Sequence, residues 1–185
     1  TLYVSDDIRD FRPLWPMSGD SGAARRYAFQ SADFIDTWCA TIGAARRTQY
    51  AFVGVFTARG QPVMLLPLGI ETRSGLRVLT WLDGGVVDYN APVLFPASED
   101  LPPATLAAFW NALRGLLPPV DLALLEKMPG EIDGFRNPLL ALGATPYPHA
   151  GYVTTLAGQG AGDGNKGKGD KGKGGSLRLP FAQDT

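Results

Sequence analysis

Cysteine, histidine and lysine are nearly missing from this 185-residue chain: one Cys (Cys39), one His (His149) and, through residue 157, one Lys (Lys127). A single cysteine excludes an internal disulfide framework and every multi-cysteine zinc or iron–sulfur site. His149 has no nearby Cys, Ser-centred elbow or second His, so it completes no nucleophile or metal set, and a surface loop is its expected place. A dominant charge is missing too. With 17 Lys+Arg against 18 Asp+Glu the formal charge is -1, which supplies no field to gather phosphate backbones and argues against nucleic acid as a partner. The longest apolar run, Val63 to Ile70, falls far short of the ~20 residues a membrane span requires. Thr1 to Asp10 carry three Asp and no apolar core, so no secretory signal is expected there. These absences leave a soluble, cytoplasmic chain with one domain as the expectation.

What is present is unevenly spread. Residues 1–157 hold eleven Arg and Lys127 against fifteen acids, a balance of -3, whereas residues 158–185 hold four Lys and Arg178 against three Asp, a balance of +2. Between Gly158 and Gly175 nine of eighteen residues are Gly, and no aliphatic side chain exceeds Ala161. Such a stretch buries too little apolar area to offset the entropy of ordering it. The expected organisation is a folded domain over 1–157 and a flexible low-complexity tail over 158–185. The switch from Arg to Lys and Gly suggests a foreign join, a truncation or a shifted reading frame.

Within the body, Ile8, Phe11, Leu14 and Trp15 follow helical spacing, but Pro13 and Pro16 restrict the helix to a turn or two. Ser31 is the expected N-cap of a longer helix, with Asp33 opposing its dipole, Phe34, Trp38 and Ile42 along one face, and Gly43 as its stop. Thr48 to Thr57 is apolar on alternate residues of both sets, the mark of a strand buried on two faces. Gly60 and Ser74-Gly75 turn the chain into Val63 to Ile70 and Leu76 to Trp81, giving an antiparallel meander. Pro67 cannot donate to a ladder and marks an edge or bulge. After a Gly-led loop, Asp83 to Asn90, the stripe Leu106, Phe109, Leu113, Leu116 and Leu117 predicts a helix closed by Pro118. Val120 to Leu125 reads as a strand, Glu131 to Leu142 as a Pro-interrupted helix ending at Gly143, and Tyr147 to Leu156 as a last strand. The fold class is therefore α/β (α+β): a mixed, largely antiparallel sheet flanked by helices.

Three short strings in this order carry a likeness. Phe29-Gln30-Ser31 precede the Trp38 helix, Leu66-Pro67-Leu68 close the second strand, and Asp88-Tyr89 follow the Gly-containing loop. Over Leu14 to Leu156 the chain resembles the amino-terminal half of the GNAT-superfamily acetyltransferases of bacterial cellulose and exopolysaccharide biosynthesis, the CelD type. The resemblance implies a GNAT-like sheet and transfer of an acyl group from acetyl-coenzyme A or another acyl-CoA to an amine or hydroxyl, without a metal. It implies as partners a second GNAT-like half, in which the cofactor site would mainly sit, or the exopolysaccharide machinery. A non-catalytic module that positions a partner domain stands beside this reading.

Candidate site residues follow. Asp88 and Tyr89 place a carboxylate beside a phenol, a pair able to take a proton from an acceptor and return one to a thiolate; the competing reading is a turn Asp and a packed ring. Gln30 is a candidate substrate contact, against a merely solvated amide, and Trp81 a candidate groove floor, against a core indole. Cys39 is expected to be a buried, inert thiol. Arg25-Arg26 and Arg46-Arg47 could dock an anion or be solvated. In the tail, Gln159 to Gly164 fits a coenzyme A pyrophosphate loop, and Gly162 to Lys168 most of a phosphate-binding loop. Neither is followed by a sequence able to start a helix, so no cofactor-binding residue is assigned.

Overall fold

A computed structural model describes residues 1–20, 22–99 and 101–146, and the backbone of 175–180. The predicted strand at Tyr147 to Leu156, His149 and the glycine-rich strings of the tail lie outside the described residues.

The sheet is mixed and largely antiparallel. Its strands are β1 (Leu2–Ser5), β2 (Gln49–Phe56), β3 (Pro62–Arg73), β4 (Leu76–Trp81), β5 (Val93–Leu94), β6 (Leu122–Met128), β9 (Thr145–Pro146) and β10 (Gly175–Pro180), while β7 (Glu131–Ile132) and β8 (Phe135–Arg136) form a separate hairpin. The order is β1-β2-β3-β4-β6-β10-β9, with β5 on β3. Every pairing is antiparallel except β4 with β6, which runs parallel over Val78↔Leu122, Leu79↔Ala123 and Thr80↔Leu124. The crossover between those two strands is α3 (Pro103–Leu116), as a parallel pair demands.

Alternation along β2 and β3 explains the layers. Ala51, Val53, Leu66 and Leu68 face one way, where they pack with Leu106, Phe109, Trp110 and Leu113 of α3. Phe52 and Leu65 face the other, against Phe11, Trp15, Ile35 and Trp38. The sheet is thus the middle of three layers, and burial on both faces is why β3 is apolar almost throughout. Ser74 and Gly75 at φ 51 and 83 make the tight turn the sequence predicts between β3 and β4. Pro67 sits inside the sheet, paired with Phe52. On its other side β4 ends and β5 begins, and Leu82 N donates to Pro67 O, so no strand there asks Pro67 for an N–H.

Several expectations need correction. Leu2–Ser5 form an edge strand on β2, which the sequence did not announce. Ser31 occupies the N-cap position of α1 (Ala32–Trp38), but its hydroxyl donates to Ala28 O at 2.7 Å instead of capping. Gly43 does not stop the helix: a π turn, Cys39–Gly43, leads into α2 (Ala44–Arg46), and Arg47 ends it at φ 54. Gly43 is needed for space, because a Cβ would lie 2.6 Å from Tyr50 Oη and 2.8 Å from Trp38 Cζ3. The helix predicted over Glu131 to Leu142 is instead the β7–β8 hairpin and a 3-10 helix, Pro138–Leu142. The turn chemistry of Asp133-Gly134, both at positive φ, overrides the apolar spacing. Gly175–Pro180, assigned from sequence to the tail, pairs with β6. Its Leu177-Arg178-Leu179 core has strand alternation, and β6 offers an otherwise open edge.

Candidate functional site

Beyond Thr80 and Leu124 the parallel strands part. The chain after β4 stays with β3 through Leu82 N to Pro67 O, while β6 runs on to Met128. Asn90 takes up the place beside β6: its backbone N–H donates to Lys127 O at 3.1 Å and its Nδ2 to Glu126 O at 3.1 Å. In a regular strand successive carbonyls point to opposite edges. Here two consecutive ones face Asn90 because Lys127 has φ 58, and β6 is bulged against β10 at the same place.

The segment Asp83 to Asn90, which fills this opening, is tied at both sides. Asp83 Oδ1 accepts from Gly85 N at 3.0 Å and Val87 N at 3.2 Å, and Oδ2 accepts from Asn90 Nδ2 at 3.2 Å. Lys127 Nζ lies 3.0 Å from Asp83 Oδ2 and donates to Val87 O at 2.9 Å. From the helix side, Arg46 Nη2 donates to Gly84 O at 2.9 Å, and Nη1 lies 3.7 Å from the buried carboxylate of Glu71. Arg73 holds the same Glu71 oxygen at 2.9 Å. Gly84, at φ 60, rests on the helix so closely that a Cβ would meet Ile42 Cγ2 at 2.7 Å. Between these ties Gly85, Val86 and Asp88 reach solvent.

The residues proposed from sequence divide accordingly. Asp88 is exposed and Tyr89 half-buried, its ring stacked on Tyr27 with centroids 5.1 Å apart. Gln30 is 2% exposed. It is neither solvated nor open to a substrate: Nε2 donates to Tyr89 O at 2.9 Å, and Oε1 accepts from Tyr27 N at 3.2 Å. The structure thus brings Gln30 and Tyr89 together, with Gln30 in a positioning role. Trp81, also 2% exposed, belongs to the core beside α3 and floors no open groove. Burial, then the neighbouring Tyr89, raise the Tyr27 phenol. It keeps its proton and donates to Glu131 O at 2.9 Å. Close by, Arg25 lies over the Phe135 ring, 5.2 Å from its centroid, and 3.5 Å from Asp133.

Three members of the cluster, Asp83, Asn90 and Lys127, were missed in the sequence. The available signal was Lys127 itself, alone of its type in the body and two residues past the predicted Val120 to Leu125 strand. Cys39 is partly buried, and burial pushes its thiol up to about 12, which makes it a poor nucleophile. Among the described residues no three His, Cys, Asp or Glu side chains gather as metal ligands would, and no helix is long and apolar enough to cross a membrane. Compared with protein-family models, with curated proteins and with solved structures, the chain returns no match.

Proposed function

We propose that this domain serves acyl transfer from an acyl-CoA to an amine or hydroxyl of a polysaccharide-related acceptor, as one half of an acyltransferase. The observation that carries the reading is the opened parallel pair: an antiparallel meander, a crossover helix, and a strand that parts from β4 beyond Thr80 and Leu124, with Asp88 and Tyr89 at the opening. In this role the exposed Asp88 carboxylate takes the proton of the attacking amine or hydroxyl as the new C–N or C–O bond forms and the thioester C–S bond breaks. Tyr89 returns a proton to the departing coenzyme A thiolate. Gln30 fixes the backbone of Tyr89, and the Tyr27 ring fixes its side chain. The reaction so written calls for no metal, and acyl-CoA supply makes the cytoplasm the natural setting.

As the domain stands, Asn90 already holds the β6 carbonyls with which the co-substrate's extended arm would pair. That observation favours a second reading, a non-catalytic GNAT-like module that positions a second half or an exopolysaccharide assembly. Calorimetric titration of the folded chain with acetyl-coenzyme A separates the two. Saturable heat that survives Asp88→Asn, with transfer lost, supports the first; absence of heat supports the second.

A further inference from the structure

We propose that Asp83 to Asn90 is an internal plug in the β4–β6 opening and that Lys127 is its latch. An extended ligand entering between parted strands pairs through its amides with carbonyls on the strand edge. Asn90 imitates that ligand, presenting one backbone and one side-chain N–H to Lys127 O and Glu126 O. Lys127 holds the imitation in place twice over. Its left-handed backbone turns both carbonyls toward Asn90, and its ammonium grips the loop at the Asp83 carboxylate and at Val87 O. The ammonium contact is only partly exposed, with side-chain exposures of 31% and 16%, so solvent screens it less than a surface pair.

Nothing equally strong holds the outer tip, where Gly85 and Val86 are exposed and Gly84 and Gly85 supply left-handed hinges at φ 60 and 85. Loss of the Lys127 ammonium therefore removes the grip on Asp83 and Val87 O and leaves the loop's hold on β6 to Asn90 alone, while Arg46 still tethers Gly84. The identity of the displacing ligand, the amide-bearing arm of an acyl-CoA, rests on the function proposed above; the latch itself does not.

The test compares Lys127→Gly, which removes the ammonium and suits positive φ, with Lys127→Arg, which keeps the charge. Should glycine unfold the chain, Lys127→Asn, also tolerant of left-handed backbone, replaces it. Hydrogen exchange at the Asn90 and Val87 amides is expected to quicken about tenfold or more in Lys127→Gly and to stay near wild type in Lys127→Arg. If the closed state dominates by that factor, the apparent Kd for acetyl-coenzyme A falls about tenfold in Lys127→Gly. Unchanged exchange in Lys127→Gly overturns the latch, whatever the titration gives. Faster exchange with no acetyl-coenzyme A heat in any variant upholds the latch and overturns the acyl-CoA reading. Faster exchange with binding no tighter than wild type overturns the competition between plug and ligand.

Discussion

Gln30→Glu is a nearly isosteric change that reverses one hydrogen bond. The Oε1 acceptor for Tyr27 N is kept, but the Nε2 donor facing Tyr89 O at 2.9 Å becomes an oxygen facing an oxygen. At 2% exposure water cannot intervene cheaply. Losing the hydrogen bond removes about 1 kcal/mol, and leaving a buried carboxylate unpaired beside a carbonyl adds a few more. Protonation caps this penalty, because a neutral carboxyl can donate to Tyr89 O. A net cost of about 3 kcal/mol at neutral pH corresponds to a span of about two pH units. The introduced carboxyl titrates higher in the folded than in the unfolded chain. The folded state then binds more protons, and the variant loses stability as pH rises from the ordinary glutamate range and through the raised one. Below that range it approaches wild type. The control, Gln30→Met, strips both hydrogen bonds without adding charge and should cost about 2 kcal/mol at every pH. Urea unfolding from pH 4 to pH 8 measures both. If the two variants run parallel across that range, the Gln30 amide does not tether Tyr89, and the positioning argument fails.

Four further outcomes follow from the same geometry. Gly43→Ala drives a methyl against Tyr50 Oη and Trp38 Cζ3 at 2.6 and 2.8 Å, and should lower stability by about 1–3 kcal/mol in thermal melts. Gly84→Ala combines φ 60 with a 2.7 Å approach to Ile42 Cγ2, and should speed amide exchange from Asp83 to Asn90 more than in α3. Hydrogen bonds from Ser18, its side chain and then its backbone, hold the Asp33 carboxyl down to about 2. Their stabilisation is complete above the ordinary aspartate range and lost as pH falls toward 2, so an NMR titration should move Asp33 and the Ser18 amide together, and Asp33→Asn should abolish that step. With its thiol near 12, Cys39 should carry about a thousandfold less thiolate at pH 8 than in the unfolded chain, read as slow labelling by a disulfide reagent until denaturant is added.

The parts of the fold legible in sequence are those fixed within about fifteen residues. The β2–β3–β4 meander follows from apolar alternation and the Ser74-Gly75 turn, and α3 from its Leu106, Phe109, Leu113 stripe. Elements fixed by distant partners were not legible. The short segment Leu2–Ser5 becomes a strand only because β2, some fifty residues later, presents Phe52 to Val55 to it. Gly175–Pro180 depends in the same way on β6. The Glu131 to Leu142 segment misled for the opposite reason. Its local Asp133-Gly134 turn outweighed a periodicity that Pro138 already interrupted.

The candidate site shows the same division, and physical chemistry explains why its ties lie outside the reach of motifs. A loop seated between two strands must satisfy its own polar groups without a ladder. Asp83 does so by collecting the amides of Gly85 and Val87, and a carboxylate left only 16% exposed is further stabilised by a cation. Lys127 supplies it from 44 residues away, on a strand that is apolar apart from Lys127 and the neighbouring Glu126. Gln30 meets Tyr89 across 59 residues for a comparable reason, since a backbone carbonyl near the core needs a donor. Asp88 and Tyr89 could be picked out because they are chemically conspicuous. Their positions are set by Gln30, Asp83, Asn90 and Lys127, whose roles arise only when the chain closes on itself. A loop anchored by a partly buried ion pair and by amide contacts would, on the function proposed above, lose little entropy on presenting the exposed Asp88 carboxylate to an acceptor. On that proposed function, Gln30→Met should lower the rate of acyl transfer, read against Asp88→Asn in the same assay, even though Gln30 touches none of the reacting atoms.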